Sequence, residues 1–122
     1  MTTKRILQPI RGEIYLVNFD PTIGSEINKT RPALIIQNNI ANENSPIIII
    51  AAITSKFDNR LYPTEVRIDP PEGGLNQISV VLLNQIRSID RQRLIRKIGV
   101  ISIEKLHEVD RAIQISFGLV DL

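Results

Sequence analysis

Four side chains in this sequence have the types and surroundings that phosphoryl chemistry needs: Arg31, Glu26, Thr54 and Ser55. Arg31 stands in Thr30-Arg31-Pro32, where the polar, glycine-containing loop Thr22–Thr30 meets the apolar run Ala33-Leu34-Ile35-Ile36. The following proline biases Arg31 to an extended backbone, and a polar loop anchored on a rigid element is a common seat of binding and catalysis. A guanidinium is permanently charged, planar and bidentate toward phosphate, so Arg31 suits stabilisation of a phosphorane. Thr54 and Ser55 close the isoleucine-rich run Ile48–Ile53, which would hold two hydroxyl donors on a rigid edge. Glu26, in the same loop as Arg31, is the carboxylate placed to accept a proton.

Other chemistries find less material. The chain has no cysteine and one histidine, His107, which disfavours thiolate or histidine metal clusters and a His-paired nucleophile. No carboxylates cluster at ligand spacing, so neither a metal nor another cofactor is expected. An activated external water is hard to assemble from these residues. RNA offers another route, because its own 2′-hydroxyl can attack the adjacent phosphate. Each residue also has a plainer reading: an arginine in an arbitrary loop more often pairs with a surface acid, a Thr-Ser pair commonly ends a strand, and a loop glutamate is commonly solvated.

The elements that must position these groups are mostly short strands, expected near residues 12–19, 33–39, 46–54, 64–69, 78–83, 85–88 and 96–101. Ile47–Ile53 is continuously apolar and reads as a central strand buried on both faces. Pro70-Pro71-Glu72-Gly73-Gly74 is the clearest break, a loop between strands and not a domain boundary. After Ser102, an N-cap, Ile103, Leu106, Val109, Ile113, Phe117 and Val120 recur at helical spacing, with Gly118 a candidate stop. His107 lies beside that stripe and reads as structural or exposed. The whole 1–122 is one domain, mainly β with a C-terminal helix, a small barrel or sandwich, with 1–9 a flexible extension.

The net charge is +2 and the pI about 9.2, a weak indication of a polyanion partner. Arg87, Arg91, Arg93, Arg96 and Lys97 crowd one segment against a single acid, Asp90, and read either as a solvated turn or as a phosphate-facing patch. No apolar run approaches the roughly 18 residues of a membrane span, so no membrane role and a cytoplasmic location are expected.

The segment RGEIYLVNFDPTIGSEINKTRPALIIQN resembles the opening of the MazF/PemK family of toxin endoribonucleases. Ala51-Ala52-Ile53-Thr54-Ser55, Pro63-Thr64-Glu65-Val66 and Leu83–Asp90 match in the same order, so the resemblance covers the chain from about Ile10 onward. It implies an SH3-like small β-barrel with a C-terminal helix, usually a homodimer. It also implies a sequence-specific, metal-independent toxin that cleaves single-stranded mRNA, leaving a 2′,3′-cyclic phosphate and a 5′-hydroxyl. The family's catalytic arginine and threonine fall on Arg31 and Thr54, with Glu26 less firmly matched. Ser25, Ser55, Gln85 and, more weakly, Arg87 become RNA contacts. The expected partner is a cognate antitoxin with an acidic C-terminal tail. A CcdB-like gyrase-binding poison on the same fold is the alternative. The loop Ser55–Tyr62 departs from the pattern, and its Phe57 and Tyr62 read either as base-stacking or as barrel packing, leaving the cleavage sequence open.

Overall fold

The computed structural model describes residues 7–19 and 30–121. Six strands, β1 (Glu13–Asn18), β2 (Thr30–Ile35), β3 (Ile47–Thr54), β4 (Glu65–Ile68), β5 (Ser79–Asp90) and β6 (Leu94–Val100), form one antiparallel sheet in the order β4-β5-β3-β2-β1-β6. A short helix α1 (Asn39–Asn44) links β2 to β3, and α2 (Ile103–Ser116) follows β6. The molecule is therefore mainly β with a C-terminal helix, as the sequence leads one to expect.

Because side chains alternate across a strand, the sheet carries two apolar faces. Ile14, Leu34, Ala51, Ile53 and Leu83 point to one, where Val109 and Ala112 of α2 cover them. Tyr15, Val17, Ala33, Ile35, Ile48 and Ile50 form a second core on the other. Three glycines draw the sheet's ends together. A Cβ on Gly99 of β6 would stand 2.2 Å from the carbonyl carbon of Gly73, and one on Gly74 would stand 1.8 Å from the Ile98 carbonyl oxygen. Backbone thus packs on backbone, and the Glu72–Gly74 turn between β4 and β5 abuts the far strand β6. The helix is pinned by Arg11, whose Nε donates to Ile36 O (2.8 Å) and Nη2 to Asp110 Oδ1 (2.7 Å).

Several elements differ from the expectation. The two strands expected at 78–83 and 85–88 are one strand, β5, interrupted by a bulge. Ala52 pairs with Leu82 while its neighbour Ala51 pairs with Ile86, so Leu83–Gln85 are extra residues on that side. The strand expected at 33–39 starts at Thr30 and stops at Ile35, and α1 follows it. That helix carries no apolar period. It is built from amides: Asn38 Oδ1 caps Ala41 N at 2.8 Å, and buried Asn42 exchanges hydrogen bonds with Gln37. β3 is not buried on both faces throughout, because Ile47 and Ile49 remain 41% and 36% exposed beyond the cover of α2. The helix ends at Ser116, before Val120, where Gly118 takes φ +74°. Its Ile103 and Phe117 stay exposed, so the apolar stripe packs on the barrel only in its middle. Of the expected extension, residues 1–6 lie outside the description. Leu7 packs against the second core, and Pro9 is buried.

Candidate active site

Pro32 shapes the end of the sheet where the candidate residues lie. Lacking an N–H, it cannot continue the ladder from β2 to β3, and that ladder's last pair is Ala33 with Ala52. The same register, carried two residues further, sets Arg31 opposite Thr54. Both side chains belong to the face of Ala33 and Ala52, and both line an open groove of about 460 Å³. Arg31 is exposed, and its guanidinium has no ion pair or side-chain hydrogen bond among the described residues. Its charge is thus available to a ligand. The plain reading of Arg31, pairing with a surface acid, is not what the described residues show.

Thr54 is half-buried and held by the loop that follows it. Its Oγ1 accepts from Lys56 N at 3.0 Å and donates to Lys56 O at 3.2 Å, a side-chain turn that fixes the hydroxyl over the groove. Gln85 reaches the same groove through the β5 bulge, which re-aims side chains at that point of the strand. Arg31, Thr54 and Gln85 are therefore brought together from three strands. Ser25 and Glu26 lie outside the described residues.

Ser55 and Arg87 are placed elsewhere. Ser55 follows Thr54 on the opposite face and lines a second groove with Pro32. Arg87 stacks on Phe19, with its guanidinium carbon 5.2 Å from the ring centroid. The crowded basic segment is likewise dispersed. Arg91 turns inward and donates to the carbonyls of Leu7 (2.8 Å), Ser45 (2.7 Å) and Asn42. Arg93 donates to Asn18 O at 3.1 Å. Lys97 pairs with buried Glu13 at 2.9 Å, which raises the lysine's pKa. The same carboxylate assists burial in raising the pKa of Tyr15. As a single phosphate-facing patch the segment does not exist, because alternate strand positions and the Arg91–Arg93 turn aim its members in different directions.

Sequence reasoning missed two carboxylates that line the groove, Asp58 and Glu65. Glu65 reaches it because β4 pairs it with Leu82, itself opposite Ala52. It accepts from Tyr62 N at 3.2 Å. Nothing local in Pro63-Thr64-Glu65-Val66 announces this; it follows from strand order. Lys56, Phe57 and Tyr62 complete the rim, with Phe57 40% and Tyr62 46% exposed. Among the described residues no group of three His, Asp or Glu is placed to hold a metal ion.

Residues 10–117 match the family described as PemK-like, MazF-like toxin of type II toxin-antitoxin system. The endoribonuclease EndoA of Bacillus subtilis is 46% identical over 111 residues, which cover 91% of this chain and 96% of that protein. A chain of the MazE-MazF crystal structure from Deinococcus radiodurans superposes with a TM-score of 0.77 at 27% identity, covering 93% of this chain and 99% of that one. A Mycobacterium tuberculosis MazF toxin superposes with a TM-score of 0.74, also at 27% identity, covering 90% and 99%. The chain belongs to the PemK-like, MazF-like toxin family.

Proposed function

We propose that this toxin is a sequence-specific, metal-independent endoribonuclease that cuts single-stranded mRNA by attack of the substrate's own 2′-hydroxyl. The observation that carries the reading is the placing of Arg31, uncommitted among the described residues, with a fixed hydroxyl, Thr54, in one open groove at neighbouring strand ends. The 46% identity to an endoribonuclease supports it. In the reaction the 2′-oxygen bonds to phosphorus as its proton passes to a carboxylate, for which Glu26 is the candidate. Arg31 holds the developing phosphorane charge, joined by Thr54 once its O–H turns from the Lys56 carbonyl to the phosphate. The bond from phosphorus to the 5′-oxygen then breaks and that oxygen takes up a proton, leaving a 2′,3′-cyclic phosphate and a 5′-hydroxyl. Ser25, Gln85, Ser55 and Arg87 are proposed RNA contacts. No step needs a metal.

The active form is read as a cytoplasmic homodimer. Ile49, Ile86, Ile113 and Phe117 border one apolar groove beside α2, and Ile49 and Phe117 are exposed in the single chain. A relative has been crystallised as a MazE-MazF complex. For this chain the corresponding partner is a cognate antitoxin whose acidic C-terminal tail lies across the Arg31 groove. No helix among the described residues is long and apolar enough to cross a membrane.

The deciding experiment is incubation of the purified protein with mixed-sequence RNA in EDTA. Cleavage is expected to persist and to stop when the nucleotide 5′ of the cut carries 2′-deoxyribose. Activity that disappears in EDTA and returns with Mg²⁺ would refute the mechanism. Intact RNA beside tight binding to gyrase would favour the poison reading instead.

A further inference from the structure

Arg96 is the one member of the basic segment left uncommitted among the described residues. Among the described residues it makes no ion pair, hydrogen bond or ring contact, although Arg87, Arg91, Arg93 and Lys97 all do. Its position is specific. Leu16 pairs with Pro32 on one side and with Arg96 on the other, so the three stand in one row across β2, β1 and β6. That row borders the second groove, of about 510 Å³.

This groove and the active-site groove share a rim. Arg31 and Thr54 line one, and their immediate neighbours Pro32 and Ser55 line the other, on opposite faces of the same sheet end. The ends of β2 and β3 are thus the common border of the two grooves, and the proposal takes an RNA strand to run from one to the other. In the second groove it would meet an apolar floor from Leu75 and Ile98, and the side-chain amides of Asn76 and Gln77. Neither amide is engaged by another described residue, and both residues are exposed. An apolar floor suits a base face, paired donor and acceptor amides suit a base edge, and a free guanidinium suits a phosphate. Unpaired RNA presents all three together.

We propose that the second groove is a nucleotide subsite, a few residues along the same RNA strand from the scissile phosphate. Arg96 holds a phosphate there, and Asn76 and Gln77 read a base edge. The proposal rests on the reading of the Arg31 groove as an RNA-cleaving site. It locates part of the sequence preference in the Asn76-Gln77 loop, away from the groove where the bond is broken, and part of the affinity on β6.

The test uses the full chain and two oligoribonucleotides with a common cleavage core, one ending near the cut and one extended on both sides. Wild type is expected to favour the extended RNA in kcat/KM. Arg96→Gln should reduce that advantage about three- to tenfold, and Asn76→Ala with Gln77→Ala should relax base preference at one position distant from the cut. Binding of the extended RNA to the Arg31→Ala protein, measured against salt, gives a readout independent of cleavage. Adding Arg96→Gln should lower the slope of log K against log salt by about 0.7, the loss of one phosphate contact on a single strand. Arg111→Gln, an exposed charge on α2, is the control and should leave that slope unchanged. An unchanged slope and an unchanged length advantage in Arg96→Gln would overturn the subsite. Failure of wild type to cut either RNA would instead overturn the activity, while the salt slope still decides the subsite.

Discussion

At the scale of single residues, Arg31 separates charge from packing. It is exposed at a strand end, so Arg31→Ala opens no cavity and should leave the fold intact. Turnover is expected to fall by about 10²–10³, the usual loss for one preorganised donor. Arg31→Lys should restore little, because an ammonium cannot bind phosphate bidentately. Thr54→Ala should reduce turnover by a smaller factor and also loosen the Lys56 turn, whereas Thr54→Ser keeps both hydrogen bonds and should retain most activity. Single-turnover kinetics with circular dichroism on each variant checks these outcomes; near-normal cleavage by Arg31→Ala would mean the site is elsewhere. The two groove carboxylates sharpen the assignment of the proton acceptor. If Glu26 has that role, Glu26→Gln should lower kcat far more than Glu65→Gln, and the reverse result would move the role to β4. The types of Arg31 and Thr54 were legible in the sequence because each sits beside a punctuating signal, a proline or the end of an isoleucine run. Glu65 was not, because its place in the groove depends on which strand β4 joins.

At the scale of elements, the contact of the Glu72–Gly74 turn with β6 leaves no room for a side chain. Gly99→Ala places a methyl about where the Gly73 carbonyl already stands and should cost roughly 2–3 kcal/mol, read as a lower urea midpoint at unchanged m. Gly118→Ala is the contrast. No atom lies within 4 Å of its Cβ position, so only the left-handed backbone is penalised, by about 1 kcal/mol. Equal effects would mean that the turn does not close the sheet. The glycines of the Pro70–Gly74 break were visible as a loop signal. Their use as a closure point was not, because the partner Gly99 is distant in sequence and reaches the turn only when β6 wraps round. The β5 bulge is a similar case. Its pattern suggested two strands with a gap, since extra residues interrupt a period of two as a loop would.

At the scale of the molecule, the proposed second copy and acidic partner rest on the exposed apolar residues beside α2 and on the net positive charge. Sedimentation at micromolar concentration should give a dimer, and Phe117→Asp should shift it toward monomer. Antitoxin binding should weaken as salt rises and compete with RNA. Stability should also decline on the alkaline side. The folded pKa values of both Lys97 and Tyr15 lie above their ordinary values, so the folded state keeps protons that the unfolded chain has lost. Their contribution is complete below the ordinary values of 10.5 and 10.0 and disappears as pH rises through the folded ones. Urea midpoints should hold steady to about pH 10 and then drop, with a shallower drop in Tyr15→Phe.

The sequence by itself determined the class of the fold and the C-terminal helix with its Ser102 cap, and it proposed Arg31 and Thr54 for phosphoryl chemistry. These depend on local signals: side-chain period, a capping hydroxyl, a proline beside an arginine. Only the tertiary structure decided which neighbours share a face. It set Thr54 and Ser55 back to back and separated Arg96 from the rest of its basic run. It also turned Arg91 inward onto backbone carbonyls and delivered Gln85 through a bulge. The physical reason is that a strand alternates its side chains at every residue. A one-residue shift in register therefore exchanges one face for the other, and register is fixed by pairing between segments far apart in the chain.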